Sequence, residues 1–175
     1  MSKVLIVYAS RMGSTGEIAQ EIARQLERRG LTADVRAAAQ AAAPSGYDAV
    51  IVGSPLYVRH WDAGVLAYLR RHTADLGVRP TWLFQSGPCG PQEEVSAEPT
   101  PRAVTRFCAR TGTAAPVTFG GNLDPARATS WLSTKVTRGP LSGDFRDWNA
   151  IRGWADGVAG LLLSHPVSDV QPISP

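Results

Sequence analysis

Residues 3–9, KVLIVYA, carry the aliphatic run Val4, Leu5, Ile6 and Val7 with no polar interruption. A strand with one solvated face alternates apolar and polar residues. An unbroken short run belongs instead to a strand covered on both faces, as in a parallel sheet with helices on each side. A polar loop follows at residues 10–14, and from Thr15 to about Arg29 the residues Ile18, Ile22 and Leu26 recur every four positions. That spacing lines one face of a helix, which Gly30 closes.

The pattern repeats along the chain. Residues 31–36 read as a second strand, followed by an Ala-rich stretch to Pro44; residues 48–54 (DAVIVGS) read as a third strand, with a loop at 55–61. Asp62 is placed to cap a helix running to about His72. Residues 80–85 (PTWLFQ) are a fourth strand, before a Gly/Pro-rich loop at 86–92. A helix at 101–110 stops before Gly112, residues 115–120 form a fifth strand, and Asp147 opens a last helix to Ser164. Strands alternating with helices build right-handed βαβ units. In such sheets ligands sit beyond the carboxyl ends of the strands, so the loops after strands one, three and four are the place to look for chemistry.

Composition narrows the class. The 175 residues suit one domain, spanning 1–164 with a stretch at 122–146 before the last helix and a flexible tail at 165–175. No apolar run approaches the roughly 18–20 residues of a membrane span, and Met1 leads into a strand with no leader pattern. The expected setting is cytoplasmic. Cys89 and Cys108 make neither a disulfide framework nor a metal box, so no metal is expected. The net charge is +3 and the sequence pI about 9.2, but the arginines are scattered and basic runs stop at pairs such as Arg28-Arg29. That excludes a dedicated nucleic-acid groove and leaves attraction to anionic ligands or, at most, peripheral contact with a membrane.

The loop after strand one reads Ser10-Arg11-Met12-Gly13-Ser14-Thr15. It joins a buried strand to a helix N-terminus, whose unpaired N–H groups and dipole favour an anion. Three hydroxyls add donors and Gly13 allows close backbone approach, which together make a phosphate cradle of neutral donors. The lysine of a nucleoside-triphosphate loop is absent, as is the G-x-G-x-x-G fingerprint. The alternative is an ordinary helix capped by Ser14 or Thr15.

Over Ile6-Val7-Tyr8-Ala9-Ser10-Arg11-Met12-Gly13-Ser14-Thr15-Gly16-Glu17-Ile18-Ala19-Gln20-Glu21-Ile22 the chain resembles the flavodoxin signature. The resemblance implies an α/β flavodoxin-like fold, a five-stranded parallel sheet of order 2-1-3-4-5 with helices on both faces. It also implies flavin mononucleotide (FMN), its 5′-phosphate held by the hydroxyl loop. A flat, amphipathic ring needs stacking surfaces and backbone donors. The expected contributors after strand three are Ser54, Pro55, Leu56, Tyr57, Val58 and Trp61, with Tyr57 and Trp61 as stacking residues. Trp61 packing under the next helix is the alternative. Arg59 and His60 are candidates for meeting substrate, against a solvated charge and a surface histidine. After strand four, Ser86, Gly87, Pro88, Cys89 and Gly90 bring the backbone near the ring. Cys89 lacks a partner at C-x-x-C spacing and reads as a small loop residue.

Two further stretches, Gly53 to His72 and Lys135-Val136-Thr137-Arg138-Gly139-Pro140 with Asp147-Trp148, are similar to menaquinone-dependent protoporphyrinogen dehydrogenases. Those enzymes carry a basic, aromatic insert, matched here at 122–146 by Arg127, Trp131, Lys135 and Arg138. The insert is shorter than theirs, and it departs further in having Arg138-Gly139 where they have a double glycine. A surface loop over the last strand's edge is the alternative for it. The resemblance implies an FMN-dependent oxidoreductase passing electrons from a porphyrinogen to a quinone, with the flavin carrying the chemistry. The competing readings are an electron-transfer flavodoxin that docks on redox proteins, an NAD(P)H-dependent quinone reductase, and a flavodoxin-like domain that binds no flavin.

Overall fold

The central strand β1 (Lys3–Tyr8) is buried on both faces, as its composition demands: Val4 to Val7 are all sealed from solvent. In the computed structural model, which describes residues 1–11, 13–87, 99–123 and 143–164, β1 pairs in parallel with β2 (Thr32–Ala37) and with β3 (Ala49–Tyr57). Beyond β3 come β5 (Thr81–Ser86) and β6 (Val117–Phe119), also parallel. The order β2-β1-β3-β5-β6 matches the expected 2-1-3-4-5 of the five predicted strands. The strand between, β4 (His60–Trp61), folds back antiparallel on β3 with Leu56 opposite Trp61 and Tyr57 opposite His60.

Alternation along β1 divides the core. Val4 and Ile6 face α1 (Ser14–Arg28) and the last helix, α5 (Trp148–Ser164), in a layer that includes Ile18, Ile22, Leu26, Phe84 and Ile151. Leu5 and Val7 face the other layer, with Val65 and Leu69 of α2 (Ala63–Arg71), Leu76 of α3 (Thr73–Gly77), and Val104 and Phe107 of α4 (Arg102–Thr111). Each such fully buried aliphatic side chain contributes roughly 1.5–3 kcal/mol. The close fit leaves its mark at Gly53, where a Cβ would lie 2.0 Å from the Phe84 ring.

The caps follow the sequence. The Asp62 carboxylate accepts from the Gly64 N–H at 2.8 Å, and that of Asp147 accepts from Asn149 and Ala150 at 2.9 and 3.0 Å. Gly112 ends α4 with a φ of 71°. Three features depart from expectation. The predicted loop at 55–61 is largely strand and hairpin, because β3 continues to Tyr57. The short helix α3 was not evident in the pattern. The two ends of the 122–146 stretch pair as β7 (Asn122–Leu123) and β8 (Gly143–Asp144), bridging its root. The expectations for Met12, Pro88, Cys89, Gly90, the insert's Arg127, Trp131, Lys135 and Arg138, and the tail at 165–175 lie outside the described residues.

Candidate functional site

The carboxyl ends of β1, β3 and β5 bring three chain segments together, and the first is the loop into α1. Gly13, with φ 90°, is the N-cap of α1, and no side chain caps the helix. The capped-helix alternative is therefore corrected: Ser14 and Thr15 lie inside the first turn, where a hydroxyl cannot fold back as an N-cap. Their hydroxyls serve other strands. Ser14 Oγ accepts from the Asn122 N–H at 3.1 Å, and Thr15 Oγ1 lies 2.7 Å from Ser86 Oγ. Among the described residues, one buried side-chain polar atom lacks a hydrogen-bond partner, and it is Ser10 Oγ. A buried hydroxyl without a partner costs about 1–3 kcal/mol, so a ligand oxygen at that point would recover what folding gives up.

A cleft of about 540 Å³ opens beside this loop, walled by Tyr8, Ser10, Gly13, Gly16, Gln20 and Ala37 among others. Its walls come from β1, α1, β2 and the loop between β1 and α1, so it reaches the phosphate-type loop and not the ends of β3 and β5. Glu17, in the first turn of α1, is paired with Arg146, which also bonds Asp144 at 2.6 Å. That ion pair balances an acidic charge that would otherwise oppose an anion at the helix terminus.

The second segment is the β3–β4 hairpin. Val58 and Arg59 have φ values of 47° and 62°, the two consecutive positive values of a type I′ turn. Glycine or asparagine usually fills such positions; a β-branched valine there is strained. Val58 is also 90% exposed. The exposed His60 ring bonds the Val58 carbonyl at 2.6 Å through Nδ1. A carbonyl only accepts, so Nδ1 carries the proton and the imidazole buttresses the turn. The Arg11 guanidinium stands 5.3 Å from the Tyr57 ring centre, and its Nε is 3.9 Å from an Asp62 oxygen.

Ser54 and Pro55 are buried strand residues and not loop. Ser54 Oγ accepts from the Asp62 N–H at 2.9 Å and donates to the Pro55 carbonyl. Trp61 is only 4% exposed, packed among the α2-side core residues, and its indole N–H donates to Gln85 Oε1 at 2.8 Å. The expected stacking role for Trp61 is corrected accordingly: β4 turns its face inward, under the helix that Asp62 starts. Gln85 in turn donates to Thr118 Oγ1 at 3.0 Å, tying β4, β5 and β6 together. Sequence reasoning passed over Gln85 and Thr118, although an amide inside the apolar run PTWLFQ was the available signal.

The third segment begins at Ser86. Gly87 has φ 90° and donates its N–H to Phe119 O at 3.0 Å, with the Leu56 carbonyl against the position a side chain would take. Among the described residues no cluster of His, Cys, Asp and Glu suits a metal ion. Nor is any described helix long and apolar enough to cross a membrane.

Residues 5–136 match the family described as Flavodoxin domain. The chain belongs to that family. Among relatives, the protoporphyrinogen IX dehydrogenase [quinone] of Escherichia coli strain K12 is 30% identical over 84 residues. That match covers 47% of this chain and 46% of the relative, so the chain spans about half the length of the curated relatives it matches. A flavodoxin from the domain Archaea superposes with a TM-score of 0.64 at 13% identity, covering 93% of this chain and 99% of that one. The rubredoxin oxygen:oxidoreductase of Desulfovibrio gigas gives 0.60 at 17% identity, over 94% of this chain and 37% of that one. These structural likenesses establish the flavodoxin fold.

Flavodoxin membership implies FMN, and the residues here fit it. An uncapped helix N-terminus, hydroxyls at Ser14 and Thr15 and the unpartnered Ser10 Oγ form a donor set suited to a phosphate monoester.

Proposed function

We propose that this flavodoxin-family chain is an FMN-dependent oxidoreductase that takes electrons from a porphyrinogen and passes them to a quinone. The similarity to the E. coli dehydrogenase carries the substrate assignment. When bound, FMN supplies the electron-transfer chemistry through its ring. The chain's part is to hold and screen it. Ser10, Ser14, Thr15 and the first N–H groups of α1 would bind the phosphate, with the backbone of residues 11–13 around it. Leu56, Tyr57 and Val58 on the hairpin, with Gly87 and the residues after it, would flank the ring. Trp61 and Ser54 support this from beneath. Arg11 and Arg59, both exposed at the rim, would pair with substrate carboxylates. A lipid-borne quinone as acceptor implies peripheral contact with a membrane at its cytoplasmic face.

An electron-transfer flavodoxin without its own substrate is the second reading, favoured by the likeness to flavodoxin structures. The +3 net charge separates the two, because a carrier of this family would dock through acidic surface on basic partners. The test is anaerobic: the FMN-loaded protein is mixed with porphyrinogen, NADH or NADPH and flavin absorbance is followed. Bleaching by porphyrinogen with recovery on quinone addition is expected. Bleaching by neither porphyrinogen nor nicotinamide, with retained reduction by a redox protein, would establish the carrier instead.

A further inference from the structure

We infer that Ser86, at the end of β5, is a positioning residue that turns the Thr15 proton toward the cofactor's phosphate. The inference rests on the FMN reading above. Thr15 and Ser86 are 71 positions apart in sequence, buried to 2% and 5% exposure, and joined hydroxyl to hydroxyl at 2.7 Å. Each hydroxyl has a single proton. If Thr15 spends its proton on Ser86, the oxygen it turns to the α1 terminus carries lone pairs, which repel an anion. If Ser86 donates, Thr15 keeps its proton for the phosphate.

The neighbouring position shows the same arrangement with its direction settled. The Asn122 N–H is a donor and nothing else, so Ser14 Oγ accepts and its own proton is left to point away. Two adjacent hydroxyls in the first turn of α1 thus each receive a hydrogen bond from another strand. One comes from β7 and the other, by this inference, from β5. Filling the acceptor side in advance makes both hydroxyls donors before the ligand arrives, a preorganised cradle for an oxyanion. It also stitches the end of β5, which starts the third loop, to the loop that holds the phosphate.

The experiment compares FMN with riboflavin, which lacks the phosphate, using flavin fluorescence quenching on wild type, Ser86→Ala, Ser86→Thr, Thr15→Ala and the double variant Thr15→Ala/Ser86→Ala. Ser86→Ala is expected to weaken FMN by about 3- to 10-fold while leaving riboflavin within about 2-fold. Ser86→Thr, which restores the donor, should return FMN binding to near wild type. The double variant should bind no more weakly than Thr15→Ala, since Ser86 acts through Thr15. Equal losses for both flavins, additive losses in the double variant, or unchanged FMN binding in Ser86→Ala would each overturn the inference. Should Ser86→Ala fail to fold by circular dichroism, Ser86→Cys carries the test, because the thiol is a weaker donor at the same place; FMN binding equal to wild type then overturns it. Wild type that takes up neither flavin overturns the cofactor reading itself, a result distinct from wild type binding FMN with indifferent variants.

Discussion

The loop into α1 and the hairpin after β3 flank the same carboxyl edge of the sheet, yet they are built on different principles. The first is local. A glycine, a run of hydroxyls and a helix terminus lie consecutively in the chain, and other strands reach them only through single bonds, Asn122 to Ser14 and Ser86 with Thr15. The second depends on partners distant in sequence. Tyr57, Val58 and Arg59 stand where they do because Ser54 holds the Asp62 N–H, Trp61 is bonded to Gln85, and Gln85 to Thr118. An anion site can be written in a few consecutive residues, whereas a surface for a flat ring needs a foundation in the core.

The largest expected effect probes the local end. Replacing Ser14 and Thr15 together by alanine would remove the two charge-assisted bonds proposed to the phosphate, worth about 1.5–3 kcal/mol each, so FMN affinity should fall at least about 100-fold with riboflavin affinity held. Fluorescence titration reads both; a parallel loss of riboflavin would erase the distinction between the two ends. At the other end, Gln85→Leu strands the Trp61 indole N–H and Thr118 Oγ1 in the core. The cost should be about 1–3 kcal/mol for each group, seen as a lower urea midpoint. An unchanged midpoint would mean that the hairpin does not depend on this amide. Val58→Gly relieves a strained left-handed valine and should stabilise the apoprotein by about 1 kcal/mol in thermal unfolding; a lower melting temperature would mean that the turn is not strained at this position.

The smallest effect concerns pH. The side-chain bond from Arg146 holds the Asp144 carboxyl below its ordinary value. At Glu21 burial pushes upward, but the bonds from Arg24 and Arg152 prevail and hold it low as well. A carboxyl lowered in the folded state adds stability above its unfolded value and loses it as pH falls. The urea midpoint should therefore decline below about pH 4, and less steeply in Asp144→Asn.

The strands and their order were legible because buried parallel strands have continuous apolar composition, and both Asp caps were legible because capping is local. Most strand ends shifted by one or two residues, but β3 runs three residues past the predicted end at Ser54 to Tyr57, as pairing and not composition decides where a ladder stops. The inward face of Trp61 was illegible for a physical reason: an aromatic after a loop suits a ring platform and a helix underside equally, and only the Gln85 amide across the sheet decides between them. The turn at Val58 and Arg59 was hidden too, since neither residue is one that a type I′ turn prefers. Ser14 and Thr15 were found, but their bonds to Asn122 and Ser86 join strands that no spacing relates.

The short ladder at the root of the 122–146 stretch bears on how the chain tolerates a change of length there. Asn122 faces Asp144 and Leu123 faces Gly143, Phe145 donates to the Gly121 carbonyl, and Gly120 has no room for a side chain against Phe145. With its two ends clamped, the stretch is a closed loop in the polymer sense. Each doubling of such a loop's length costs only about 0.6 kcal/mol. A change in the number of residues between β7 and β8 therefore costs the sheet little, because the joint that ties them to it is made by Gly120, Gly121 and Phe145, outside the span that changes.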